Sequence, residues 1–182
     1  SLFRGDAVST GTGGVVGDPS STCLSLPAGG RRGFGLIASL HSGPMTDNLQ
    51  RLLNTELPIT LHLGLRVAVA DPEQVILLAP LAPNRNHRGT AFAGSLNAIA
   101  TLAGWSWLTL FLQHHHLAGQ VILQDSSITY LRPAFADEQI VVRTWVATLR
   151  KASSLRRYEI VRPADGKLLA TAATDWAFVT YA

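Results

Sequence analysis

The chain has 182 residues, enough for one domain with a sizeable core and short for two. Hydrophobic residues make up 47% and charged ones only 15%, so much of the chain should be buried in a core or a subunit interface, and a net charge of +3 is too small to imply a nucleic-acid partner. A single cysteine, Cys23, excludes an internal disulfide framework and suits a reducing cytoplasm, and no basic start followed by an apolar run marks a secretory signal.

Residues 1–44 are rich in Gly, Ser and Thr and sustain no helical or strand period. They read as a flexible leader or native tail, with Met45, the only methionine, as a candidate start of the domain at 45–182. "TDNLQRLLNTELP" reads as a short helix, capped by Thr46 or Asp47, with Leu49, Leu52 and Leu53 on one face and Pro58 ending it. "LGLRVAVA" and "QVILLAPL" alternate around an Asp71-Pro72 turn and read as a hairpin. "APNRNHRG" is a polar loop. Four runs rich in β-branched and aromatic residues close the chain, split by turn signals at Phe135–Glu138, Ala152–Ser154 and Ala164–Gly166.

Between Arg88 and Asp125 there is no charged residue. Gly89 to Leu112 is long enough to cross a bilayer. Polar groups at Thr90, Ser95, Asn97, Thr101 and Ser106 are spread along it, however, and Ala93, Gly94, Ala98, Ala100, Ala103 and Gly104 keep it thin. Its flanks are amphipathic strands that need each other, and a membrane would part them. The stretch therefore reads as a buried helix over about 92–115. A curved antiparallel sheet, made of the two-strand hairpin and a four-strand meander, would wrap around it.

That order of elements resembles the hotdog fold of acyl-thioester enzymes. "NHRGTAFAGSLNAIATLAGW" followed by "DSSITYLRP" is similar to the putative-thioesterase family found as the C-terminal domain of acetyltransferase-like bacterial proteins, whose relatives include malonyl-ACP decarboxylases. The resemblance runs from about Leu49 to Tyr181 and implies an α+β hotdog domain. It also implies action on an acyl thioester, with coenzyme A or phosphopantetheine present only as part of the substrate and no other cofactor.

Several residues could carry that chemistry. The first N–H groups of a helix lack internal partners and sit at its positive end, so Gly94 or Ser95 is a candidate oxyanion hole, as in resembling enzymes. Gly94 either admits substrate to the backbone or lets the helix pack against the sheet. Asn86 offers an amide to a carbonyl or a water, or else makes a turn; His87 is a general base or a solvated loop residue. Phe92, at the start of the helix, is expected to line the pocket. Ser95 and Thr90 read as caps or pocket hydrogen-bonders, since "FAGSLNA" lacks the G-x-S-x-G elbow of a serine hydrolase.

Many resembling thioesterases carry an acid on the helix about two turns past the glycine, where this chain has Thr101. Hydrolysis would then rest on His87, on Asp125 or on a water held by Asn86. "QHHHL" at His114–His116 lacks metal-ligand spacing and reads as a helix end; no metal is expected. Arg150, Lys151, Arg156 and Arg157 gather at a strand turn. They read either as a solvated hairpin or as a patch for the phosphates of coenzyme A or an acidic acyl carrier protein. The expectation is a cytoplasmic thioesterase of fatty acid metabolism, a homodimer or tetramer joined edge to edge, with neither nucleic acid nor membrane as partner. Decarboxylation of a malonyl thioester and non-catalytic acyl-thioester binding are the alternatives.

Overall fold

The computed structural model describes residues 43–135 and 139–180. The leader or tail assigned to 1–44 lies outside the described residues except for its last two, as does most of the turn at 135–138. In chain order the elements are α1 (Pro44–Glu56), α2 (Ile59–His62), β1 (Arg66–Ala70), β2 (Val75–Pro80), a 3₁₀ turn (Ala82–Asn84), α3 (Ala93–His114), β3 (Gln120–Tyr130), β4 (Gln139–Leu149), β5 (Ser153–Val161) and β6 (Leu168–Val179).

The first helix begins one residue before the expected domain start. Gly43 is its N-cap and Pro44 its first residue, where proline's missing N–H costs nothing. Thr46 and Asp47, the expected caps, lie inside the first turn rather than at the cap position. Leu49 and Leu53 are fully buried, and Leu52 is half-buried beside them. Gln50 ties α1 to β1: its Oε1 accepts from the Val67 N–H at 2.8 Å and its Nε2 donates to the Leu65 carbonyl at 3.2 Å. Pro58 ends this helix and starts α2, a single turn the apolar pattern did not announce.

The expected hairpin is present. β1 and β2 pair antiparallel, with Val67 opposite Leu77 and Ala70 opposite Val75. Asp71 Oδ1 closes the turn by accepting from the N–H groups of Glu73 and Gln74. All six strands form one antiparallel sheet in the order β1-β2-β4-β5-β6-β3. This corrects the simple four-strand meander. β4, β5 and β6 do run as a meander, but β3 crosses to pair with β6 and becomes the outer edge.

α3 is 22 residues long and is the core of the fold rather than a span. Leu96, Ile99, Ala100, Ala103, Trp107 and Leu108 are buried against the sheet. Burial of one such large side chain contributes about 1.5–3 kcal/mol. The absence of charge along the helix thus reflects contact on several sides. Gly104 makes the closest approach: a Cβ there would strike the Tyr158 hydroxyl and the Trp176 indole. Tyr158, Thr174 and Trp176 are themselves linked, the two hydroxyls sharing a hydrogen bond and the indole N–H donating to Thr174 Oγ1 at 2.6 Å.

Candidate active site at the loop–helix junction

The loop from Arg85 to Ala91 folds on itself. Arg85 and Ala91 form an isolated antiparallel bridge, and the Gly89 N–H closes a turn onto the Asn86 carbonyl at 3.0 Å. Gly89 takes φ +76°, a left-handed conformation that glycine adopts without strain. Asn86 stands at the centre. Its Nδ2 donates to Thr90 Oγ1 at 2.9 Å and to the Ala91 carbonyl at 3.4 Å. Its Oδ1 accepts from the N–H groups of Arg88 and Thr90 at 2.9 and 3.3 Å. Both amide protons and both lone pairs are engaged. Asn86 therefore braces the loop and has no free polar atom to offer a carbonyl or water. Thr90 is its partner and does not cap α3. His87 is exposed at the tip of the same turn.

The loop is fastened to α3 from below. The Phe92 N–H donates to the Asn84 carbonyl at 2.7 Å, and the Ala91 N–H to the Ala134 carbonyl at 2.9 Å. Asn84 is buried, and its Nδ2 donates to the carbonyls of Leu63 and Pro80 at 2.8 Å each, so it joins the ends of α2 and β2 to the loop. Tyr130, on β3, donates its hydroxyl to the Ala93 carbonyl at 2.9 Å, and burial raises its pKa above the ordinary phenol value. Asn84 and Tyr130 were not singled out in the sequence. The alternation Ser126, Ile128, Tyr130 was the available signal for Tyr130: Ser126 Oγ donates to Asn97 Oδ1 of α3 at 3.1 Å, which shows that this set faces the helix.

Phe92 is the N-cap residue of α3, and no side chain caps the helix. Among the described residues, the N–H groups of Ala93, Gly94 and Ser95 have no hydrogen-bond partner; the first intrahelical bond is from Leu96 N–H to the Phe92 carbonyl. Ala93 and Gly94 are exposed. Ser95 is the third residue of the helix, not its cap. Gly94 does not pack on the sheet, and its space is filled by the Phe92 ring, which lies over it and is itself 54% exposed. A substrate can therefore reach this backbone by displacing one exposed ring. Thr101 sits half-buried two turns further along.

Five expected site residues lie elsewhere. Asp125 precedes Ser126, which faces α3, so strand alternation turns Asp125 to the opposite face of the sheet, where it is exposed and directly opposite Asp175 of β6. It cannot act as a base at the junction of its own chain. The basic turn is also not one patch. Arg150 and Lys151 are exposed at the β4–β5 turn, and Arg157 is exposed on the outer face. Arg157 lines a shallow depression there with Trp145, Glu159 and Thr171. Arg156 points the other way and is fully buried, its guanidinium 4.2 Å over the Trp107 ring. Burial pushes its pKa down to about 10, partly opposed by Tyr158. His114–His116 close α3 as an exposed group, with the His115 ring packed on Phe111.

Comparison with known proteins agrees with this architecture. A putative thioesterase from Shewanella oneidensis is 28% identical, superposes with a TM-score of 0.66, and is matched over 74% of this chain and 97% of its own. A thioesterase from Haemophilus influenzae is 18% identical, with a TM-score of 0.66 over 74% of this chain and 90% of that one, and shares the fold. So does a thioesterase from Pseudomonas aeruginosa, 17% identical, with a TM-score of 0.68 over 79% of this chain and all of that one, 100%. The six-stranded sheet around a long helix is the hotdog fold that the sequence resembled. Residues 46–174 match the family model described as "Putative thioesterase (yiiD_Cterm)". The chain belongs to this YiiD C-terminal family of hotdog thioesterase-like proteins.

Proposed function

We propose that this protein hydrolyses acyl thioesters of coenzyme A or an acyl carrier protein, in the cytoplasm, as a homodimer joined through β3. The observation that carries the reading is the uncapped N-terminus of α3, with three unpartnered N–H groups at the positive end of a 22-residue helix. A thioester carbonyl oxygen placed there accepts from them. Attack by water forms a C–O bond and moves an electron pair onto that oxygen, so the donors bind the transition state more tightly than the substrate. Collapse of the tetrahedral species breaks the C–S bond and releases the free acid and the thiol. His87, on the adjoining turn, takes the proton from water. Phe92, Tyr130, Leu131 and Phe135 are large exposed apolar residues around the junction and suit an acyl chain.

β3 is an 11-residue edge strand carrying exposed Ile122 and Leu123, an edge that soluble proteins normally cover. Antiparallel pairing of two such edges lays the Gln120 end of one beside the Tyr130 end of the other. That brings the partner's Arg150 and Lys151 toward this junction, where they would meet phosphates of the carrier. Decarboxylation of a malonyl thioester is the second reading. It is favoured by one observation: among the described residues no carboxylate stands at the junction, and an enolate needs donors but no base.

The donors can be tested by Ala93→Pro. Proline is well accepted at the first position of a helix, and Phe92, with φ −72° and ψ 130°, already has the extended backbone that precedes proline. The change removes one N–H and leaves the helix. We expect kcat for thiol release from acyl-CoA to fall by about 10²-fold or more. Unchanged kcat in a folded variant would remove the Ala93 N–H from the site, and equal indifference in folded Gly94→Pro and Ser95→Pro variants would remove the helix terminus.

A further inference from the structure

On the helix-facing side of β5, Ser154 and Arg156 stand two residues apart, both fully buried. Strand alternation puts them on the same face. Arg156 Nε donates to Thr144 Oγ1 at 3.1 Å, and its guanidinium is stacked on Trp107. Its two terminal amino groups have no hydrogen-bond partner, and neither has Ser154 Oγ. No carboxylate pairs with this cation among the described residues. A buried charge is normally paired, because the stack on an aromatic ring replaces only part of its lost hydration. Two N–H₂ groups and one hydroxyl able to donate are thus buried with no carboxylate to meet them, and the Tyr158 hydroxyl beside the guanidinium offsets only part of the cost of burial.

We infer that Arg156 and Ser154 form a receptor for a carboxylate beneath the C-terminal half of α3. The planar guanidinium matches a carboxylate with two parallel N–H donors, and the serine hydroxyl supplies a third. Arg150 and Lys151 stand exposed at the turn leading into Ser154, and their positive field favours an anion over a neutral ligand. The carboxylate has two sources, a free small acid or the far end of a dicarboxylic acyl chain; the second rests on the hydrolase reading. Within one protomer Trp107 lies about 20 Å along the helix from Gly94, so only a long acyl chain reaches it from the junction, and a malonyl group does not.

Thermal melting of the full chain tests the receptor without any turnover. Acetate replaces chloride at constant ionic strength in wild type, Arg156→Met and Ser154→Ala. The wild-type midpoint should rise saturably, Arg156→Met should not respond, and Ser154→Ala should need several-fold more acetate. Ser154→Ala loses one hydroxyl and keeps the test open if Arg156→Met does not fold. The source is read from hydrolysis of dodecanedioyl-CoA and dodecanoyl-CoA. A KM lower by about tenfold for the dicarboxylic substrate, lost in Arg156→Met, assigns the site to the chain end. An acetate response with equal KM values, or with neither substrate hydrolysed, assigns it to a free acid; in the latter case hydrolysis fails and the receptor stands. A wild-type melt indifferent to acetate together with equal KM values overturns the proposal, as does an acetate response that Arg156→Met retains. Arg156 is then a structural cation stacked on Trp107.

Discussion

Asn86 uses its whole side-chain amide inside its own loop, and Thr90 meets both ends of that amide, through its hydroxyl and its N–H. Its effect on chemistry is thus indirect: it fixes the path that leads into Phe92 and the open end of α3. Asn86→Ala and Thr90→Val should each lower kcat/KM by about tenfold, the scale of one or two lost hydrogen bonds, and the double variant should be little worse than either. Purely additive losses, measured by thiol release, would mean the two act separately and Asn86 has a role beyond the brace. Gly104 poses the opposite problem. A methyl group there meets the buried Tyr158 hydroxyl, so Gly104→Ala should cost about 1–3 kcal/mol in denaturant unfolding. Tyr158→Phe removes that oxygen and should recover part of the loss. Thr174 Oγ1 still accepts from the Trp176 indole in that variant.

The edge position of β3 gives that strand two duties. Through Ser126 and Tyr130 it holds α3, the latter at its first carbonyl, and its free side is a sheet edge that the proposed dimer would cover. Neither duty depends on the other, so they can be separated. Ile122 and Leu123 lie near the end of β3 away from Tyr130 and are 44% and 37% exposed. Replacing both with lysine should leave the protomer folded by circular dichroism and convert the dimer to monomer in sedimentation, since charged edges resist pairing. Activity should fall with dimerisation if the partner's Arg150 and Lys151 serve this junction. A dimer that survives the double substitution would place the interface on another surface.

At the scale of the whole molecule, the sequence carried the helix and the strands but not their neighbours. The chargeless run from Gly89 announced α3 because burial on several sides leaves no place for a charge, and its first and last residues fell within one position of expectation. The crossing of β3 to β6 was not legible: four strands in a row are compatible with several pairings, and which edges meet is decided by packing on the helix. The inward turn of Arg156 was equally hidden. Along β5 the buried set is Ser154, Arg156, Tyr158 and Ile160 and the outer set includes Leu155, Arg157 and Glu159, so neither face is clearly the apolar one. For Asn86 the sequence left two roles open, a pocket amide or a turn, because a spacing does not show which hydrogen bonds are already taken; in the fold its side chain bonds within the turn. Asn84 carries no motif, and Tyr130 lies within the resembling stretch without marking itself out there; both matter through the carbonyls and N–H groups they meet in the fold. The central claim, that this arrangement hydrolyses an acyl thioester, concerns products. Acetyl-, malonyl- and octanoyl-CoA should each be incubated with the full chain and the products weighed by mass spectrometry. The account predicts free acid and coenzyme A from at least one of them; acetyl-CoA and carbon dioxide from malonyl-CoA, with the other two left intact, would contradict it.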